Sequence, residues 1–139
     1  MNAIDLSSVT VGDALPVLTA GPITPLALAL FAGGSGDHNP IHLDPEFAAL
    51  GGFPEVFAHG MLSMAYLGRA LTDWAGPTAV RSLSVRFAAI TPLRARVACG
   101  GEVVEILERD GERLARLTVT ATVVDGPVTL VGDALVRIG

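Results

Sequence analysis

One segment constrains the fold more than any other. "HGMLSMAYLGRALTDWAGP", roughly 59–75, is apolar nearly all the way round a helix. Met61, Met64, Ala65, Gly68, Leu71 and Ala75 fall on one stripe at helical spacing, and Leu62, Tyr66 and Leu67 add apolar surface on its flanks. A helix of this kind has to be largely buried, so the rest of the chain must cover it. The residues after it are strand-like. "AVRSLSVRFAAI" puts Leu83, Val85, Phe87 and Ala89 on one face and Ser82, Ser84, Arg86 and Ala88 on the other. The next forty-odd residues contain Asp110-Gly111 and Asp125-Gly126 between β-branched alternating runs, each a hairpin signal. The expectation is an α+β fold in which an antiparallel meander of four long strands wraps a buried helix.

The residues before that helix read as an extended lead-in and two shorter helices. Thr24 is placed to cap a helix with Pro25 at its first position, and Gly33, Gly34 and Gly36 are expected to end it. Asp44 and Pro45 repeat the pattern, with Gly51 or Gly52 as the stop. With 139 residues and no linker, repeat or low-complexity tract, residues 1–139 read as one domain.

Composition narrows the function. Half of the residues are hydrophobic and 17% are charged, so some apolar surface should be covered by a partner chain. A net charge of −5 argues against nucleic acid as the ligand. All nine basic residues are Arg, which excludes a Schiff-base lysine and a lysine-type phosphate loop. The lone Cys99 rules out an internal disulfide and a Cys-rich zinc site. The start, "MNAIDLSSVTVGD", lacks the basic-then-apolar pattern of a signal peptide. "PLALALFAGG" is too short to span a bilayer, so a cytoplasmic protein without membrane association is expected.

Polar chemistry is concentrated in "GSGDHNPIHLDPEFA", residues 34–48, which holds two of the three histidines. Asp44 is accounted for as a helix cap, and His38 as a surface residue whose side chain diverges from that of Asp37. Asp37 and His42 would lie ~17 Å apart if the chain between them were extended. Gly36 permits unusual angles before Asp37, and Pro40 stiffens the chain and pushes Asn39 out of the helical region. Such a bend can turn the carboxylate and the imidazole towards one water, an acid–base pair worth about 10²–10⁴ in rate. An ordinary Asn39-Pro40 turn, with His42 bonding only backbone, is the competing explanation. Gly60 adds a third element: it lies in the first turn of the long helix, where N–H groups lack intrahelical partners and the dipole is positive. A thioester oxygen gaining negative charge would be held there, typically for ~3–4 kcal/mol. His59 fits a cap or a packing residue. No helix-borne histidine pair exists, so no metal site is expected.

The stretch Ser35-Gly36-Asp37-His38-Asn39-Pro40-Ile41-His42-Leu43-Asp44 through Ala48 matches the pattern S-G-D-x-N-P-[ILV]-H-x-D-x-x-x-A, and His59-Gly60-Met61 matches a later H-G-M. On these motifs the chain resembles the MaoC-like, hydratase-2 type enoyl thioester hydratases and dehydratases of the hotdog fold. "TDWAG" at 72–76 and "VRFAAITP" at 85–92 are similar to segments of the catalytic subunit of mycobacterial-type (3R)-hydroxyacyl-ACP dehydratases. The resemblance implies a hotdog fold and reversible dehydration of (3R)-3-hydroxyacyl thioesters, carried by CoA or acyl carrier protein, in fatty acid metabolism. It implies Asp37 and His42 as the catalytic dyad, the Gly60 N–H as the oxyanion donor, and Asn39 and Pro40 as loop-orienting residues. It also implies no cofactor and a homodimer, or a heterodimer with another hotdog subunit. Met64, Gly68 and Leu71 are candidates to line an acyl channel, Gly68 because glycine inside a helix costs about 1 kcal/mol relative to Ala. Arg86, Arg94 and Arg96 are the candidate cations for a carrier's phosphates. A hotdog thioesterase, and a dehydratase subunit active only with a second hotdog chain, are the alternatives.

Overall fold

A computed structural model describes residues 5–139. Met1–Ile4, and with them the start of the segment that lacks a signal-peptide pattern, lie outside the described residues. Five strands and three α-helices succeed one another in the order β1 (Ala14–Ala20), α1 (Pro25–Ser35), α2 (Pro45–Leu50), α3 (Gly60–Ala75), β2 (Val80–Phe87), β3 (Val97–Arg109), β4 (Glu112–Val123) and β5 (Val128–Arg137). A 3₁₀ turn, Pro40–His42, lies between α1 and α2.

The helices begin where their caps dictate. The Thr24 hydroxyl accepts the Ala27 N–H at 3.0 Å, and the Asp44 carboxylate accepts those of Glu46 and Phe47 at 3.0 and 3.4 Å. Helix α1 runs through Gly33 and Gly34 and ends at Gly36, the last of the three glycines expected to stop it, whose φ of 79° closes it in the left-handed region. Two glycines weaken a helix, but they do not end one whose next turn is still hydrogen-bonded: the Gly36 N–H returns to the Ala32 carbonyl.

All strand pairs are antiparallel, in the order β1-β3-β4-β5-β2. This corrects the four-strand meander in two ways. The lead-in supplies a fifth strand, β1, on the edge of β3, and β2 pairs with β5 instead of β3. Both edges of β3 are taken, by β1 and β4, so β2 finds its partner on the far side of the sheet. The segment from β2 to β3 must therefore cross back. On its way it passes the start of α3, where the Ala58 N–H donates to the Thr91 carbonyl at 2.9 Å.

The sheet curls around α3, the hotdog arrangement. The tightest approach is at Gly132 on β5, where a Cβ would fall on the Ser84 carbonyl oxygen and 2.8 Å from the Val85 Cα. The main core sets Leu67, Ala70, Leu71 and Trp74 of α3 against Val97, Cys99, Val103, Leu117, Val119 and Val136 of the sheet. The buried face of α3 is thus rotated from the stripe read off the sequence. Leu62, Ser63, Leu67 and Ala70 are inside, whereas Met61 is 53% exposed and Ala65 is also exposed. Helical spacing groups apolar residues but does not separate those the sheet covers from Met61, which lines the cavity beside the start of α3. A second cluster, Ile23, Leu28, Ala48, Val56, Ala58 and Leu62, packs α1 and α2 beside the start of α3 and so fixes the loop between them.

Candidate active site

The loop between α1 and α2 is built from side chains that bond the backbone two residues on. The Ser35 hydroxyl accepts the Asp37 N–H (3.1 Å), Asp37 Oδ1 accepts that of Asn39 (3.2 Å), and Asn39 Oδ1 accepts that of Ile41 (3.1 Å). Pro40 opens the 3₁₀ turn that carries His42. The loop therefore has little freedom, and the ~17 Å of the extended chain collapses. Asp37 Oδ2 lies 3.9 Å from His42 Nε2.

His42 is held from behind. Its Nδ1–H donates to the Phe57 carbonyl at 2.8 Å, and a carbonyl can only accept, so Nδ1 always carries a proton. Nε2 is left facing the carboxylate. The 3.9 Å gap exceeds a direct hydrogen bond, but a water ~2.8 Å from both atoms spans it with an angle of about 90° at the oxygen. Asp37 is half-exposed and His42 nearly buried, with side chains 48% and 11% accessible. His38, by contrast, is exposed.

Asp37 and Gly60 both line a cavity of about 500 Å³, whose walls include Met61, Phe87, Ile90 and Leu130. As the first residue of α3, Gly60 has no intrahelical acceptor for its N–H, and no backbone acceptor among the described residues takes it. Its bare α-carbon lies against the Phe87 ring: a Cβ would come within 2.7 Å of Cδ1 and 2.8 Å of Cε1. The crossing segment supplies Ala88 to Thr91 as the opposite wall, and Thr91 meets the buried Ser63 hydroxyl at 3.4 Å.

Sequence reasoning missed two contributors. His59 is fully buried, stacks on His42 and donates from Nε2 to the Asp37 carbonyl at 3.1 Å. Burial holds its basicity below the ordinary histidine value, and the neighbouring His42 acts in the same direction, against the Asp37 backbone and carboxylate. Only its place before Gly60 in the H-G-M triplet pointed to it. Phe87 was read merely as a strand position. The three residues proposed for an acyl channel are not in the cavity wall. Leu71 is fully buried in the main core and Met64 packs against it, while Gly68 has only Leu83 Cδ2 near its missing Cβ, at 3.9 Å. Of the arginines, Arg94 is engaged by Glu55 at 2.7 Å, and Arg86 and Arg96 are exposed.

Asp37, His42 and His59 each offer one ligand atom within 4.8 Å of the others. The two imidazoles stack at 3.9 Å with their planes 25° apart, and each already commits one ring nitrogen to a backbone carbonyl, His42 to Phe57 and His59 to Asp37. The Asp37 carboxylate and His42 Nε2 face one another across the 3.9 Å gap. Among the described residues, no helix is long and apolar enough to cross a membrane.

A hotdog domain with an Asp/His loop set at the N-terminus of its central helix defines the class. The chain belongs to the MaoC-like domain family, whose model matches residues 9–125. It is 37% identical over 121 residues to enoyl-CoA hydratase ChsH3 of Mycobacterium tuberculosis, an alignment covering 84% of this chain and 39% of that protein. It is 35% identical over 124 residues to 3-hydroxyacyl-thioester dehydratase Z of the same organism, covering 83% and 82%. The structure superposes on R-hydratase PhaJ1 of Pseudomonas aeruginosa with a TM-score of 0.84 at 31% identity, over 96% of this chain and 84% of that one. Several relatives are much longer: the matched part is about two fifths of ChsH3 and 23% of dehydratase X of M. tuberculosis.

Proposed function

We propose that this chain is an (R)-specific hydro-lyase that interconverts trans-2-enoyl thioesters and (3R)-3-hydroxyacyl thioesters. The observation that carries the proposal is the 3.9 Å gap between Asp37 Oδ2 and His42 Nε2, with Asp37 and Gly60, whose N–H is uncommitted among the described residues, lining the same cavity. By name, ChsH3 is an enoyl-CoA hydratase, dehydratase Z a 3-hydroxyacyl-thioester dehydratase and PhaJ1 an R-hydratase, which supports the same assignment.

Hydration starts with Asp37 ionised and His42 carrying a second proton on Nε2; the water held in the gap gives a proton to Asp37 as its oxygen bonds C3. The electron pair of the double bond moves through C2 to the thioester oxygen, whose charge the Gly60 N–H and the α3 dipole stabilise. C2 then takes a proton from Nε2 of His42, reforming the thioester carbonyl. Because the Phe57 carbonyl keeps the Nδ1 proton, Nε2 is the only ring nitrogen that exchanges one with substrate. A proton passing from Asp37 to Nε2 resets the dyad. Dehydration is the reverse, and no step draws on a metal or nucleotide.

The carrier is CoA or acyl carrier protein, and the acyl chain occupies the apolar cavity. A second hotdog chain, identical or not, pairs along β2. The free edge of that strand and the half-exposed Phe87 and Ile90 beside the cavity support this interface. The test is a hydration assay with a short enoyl-CoA and its carrier-protein counterpart, after extensive treatment with chelator. Activity on either thioester is expected. Thioester hydrolysis without hydration would overturn the assignment in favour of a thioesterase. Activity appearing only on mixing with a second hotdog chain would make the functional unit a heterodimer.

A further inference from the structure

We infer that His59 is a positioning residue for the dyad, holding the Asp37 backbone with its Nε2–H and backing the His42 ring with its own. The inference rests on the hydro-lyase assignment and deepens it. His59 occupies the N-cap of α3 but makes no cap bond to the helix. Its side chain turns to the loop 22 residues earlier in the sequence and reaches the Asp37 carbonyl at 3.1 Å. This is the one side-chain bond among the described residues that ties the Asp37 backbone to α3. Since Asp37 itself is half-exposed, its place relative to Gly60 depends on such a tie.

The ring has a second task. Phe31, His59, His42, Phe57 and Phe53 form a continuous row: edge-on at 4.9 Å, stacked at 3.9 Å, edge-on at 5.3 Å and tilted at 4.9 Å. His42 is thereby clamped between His59 on its face and Phe57 at its edge. When His42 carries the extra proton of the catalytic cycle, a neutral aromatic face beside it is favourable and a second cation would be opposed. A neutral His59 is what the geometry allows. The Asp37 carbonyl demands the proton on Nε2, and Nδ1 is buried with no partner among the described residues, so a second proton there would have none of them to bond. The unpartnered nitrogen also speaks for function over stability, since a phenylalanine would fill the same space without burying one.

Two variants separate the donor from the ring. His59→Phe keeps the ring and removes the donor; His59→Gln carries an N–H near the position of Nε2 and removes the ring. The expected result is an order of magnitude or more lost from kcat in His59→Phe, about 10–100-fold, with KM little changed and the thermal midpoint preserved. His59→Gln should recover part of that loss through the restored donor, the remainder being the share of the ring. Wild-type kcat in His59→Phe, or equal losses in both variants that track their loss of fold, would overturn the inference. Nitrogen-15 spectra of the wild-type imidazoles provide a readout independent of catalysis and of variant folding. A neutral Nε2–H tautomer with a slowly exchanging ring proton is expected for His59, and an Nδ1–H tautomer or free titration would overturn it. Should the wild type hydrate no thioester while His59 shows this tautomer, the hydro-lyase assignment fails and the clamp stands.

Discussion

Replacing Asp37 by Asn changes the site at one atom and leaves its frame intact. Asp37 Oδ1 accepts the Asn39 N–H at 3.2 Å, a bond the amide oxygen can keep, so the NH₂ takes the place of Oδ2. There it faces His42 Nε2, which in the neutral ring offers a lone pair because Nδ1 carries the proton donated to the Phe57 carbonyl. Donor and acceptor then satisfy each other across the gap, and the water loses the acceptor that takes its proton. Loss of a positioned base is worth about 10²–10⁴ in rate, or ~2.7–5.4 kcal/mol in the barrier. The side chain is half-exposed and its volume unchanged, so the thermal midpoint should move little. Steady-state hydration, monitored by loss of enoyl-thioester absorbance, should show the fall in kcat with KM within a few-fold of wild type. A decrease below tenfold in a folded variant would refute the role given to the carboxylate. A collapse of the thermal midpoint would refute the claim that the loop tolerates the amide.

The same geometry sets other outcomes. In Gly60→Ala the new methyl displaces the Phe87 ring, which is half-exposed and can swing; stability should stay within about 1 kcal/mol while kcat/KM falls about 10–100-fold through the narrowed cavity, and unchanged kinetics would refute the contact's importance. Leu71→Ala should cost ~2–5 kcal/mol in denaturant unfolding, as for a filled core position; a changed acyl-chain preference with little loss of stability would instead return Leu71 to the channel. Cys99 is fully buried and burial pushes its thiol up to about 11, so thiol reagents at neutral pH should react only after unfolding, and prompt native-state reaction would contradict its place in the core. Because burial lowers the His59 value in the folded state, the unfolded chain binds the extra proton first as pH falls; the stability held above about pH 6.5 should decline below it, and urea unfolding at pH 7 and pH 5 should show a shallower decline in His59→Gln.

The parts of this fold legible in the sequence are those with a local physical cause. Thr24-Pro25 and Asp44-Pro45 announce helix starts because cap and first turn are neighbours in the chain, and Asp110-Gly111 announces a hairpin because both residues adopt positive φ there, 51° and 78°. What was not legible depends on partners chosen from a distance. Alternation in β2 says that one face is buried, but not whether β3 or β5 will take its edge. In the structure β3 has β1 and β4 on its two edges, and β1 is a strand the sequence shows only as extended lead-in.

The candidate site divides along the same line, and the division explains how it works. Asp37 and His42 could be paired from sequence because five residues, a glycine and a proline bound the distance between them. The elements that set their chemistry lie further along the chain: the Phe57 carbonyl fixes the His42 tautomer from 15 residues away, and His59 fixes the Asp37 backbone from 22. Both belong to the short approach to α3, whose first N–H is the Gly60 donor. The start of α3 therefore positions the proposed base, acid and oxyanion donor together, anchored by Leu62 and Leu67 in the two cores. A shift of α3 along its axis would move all three contacts at once. The buried helix that most constrains the fold is for that reason also the part that sets the geometry of the reaction.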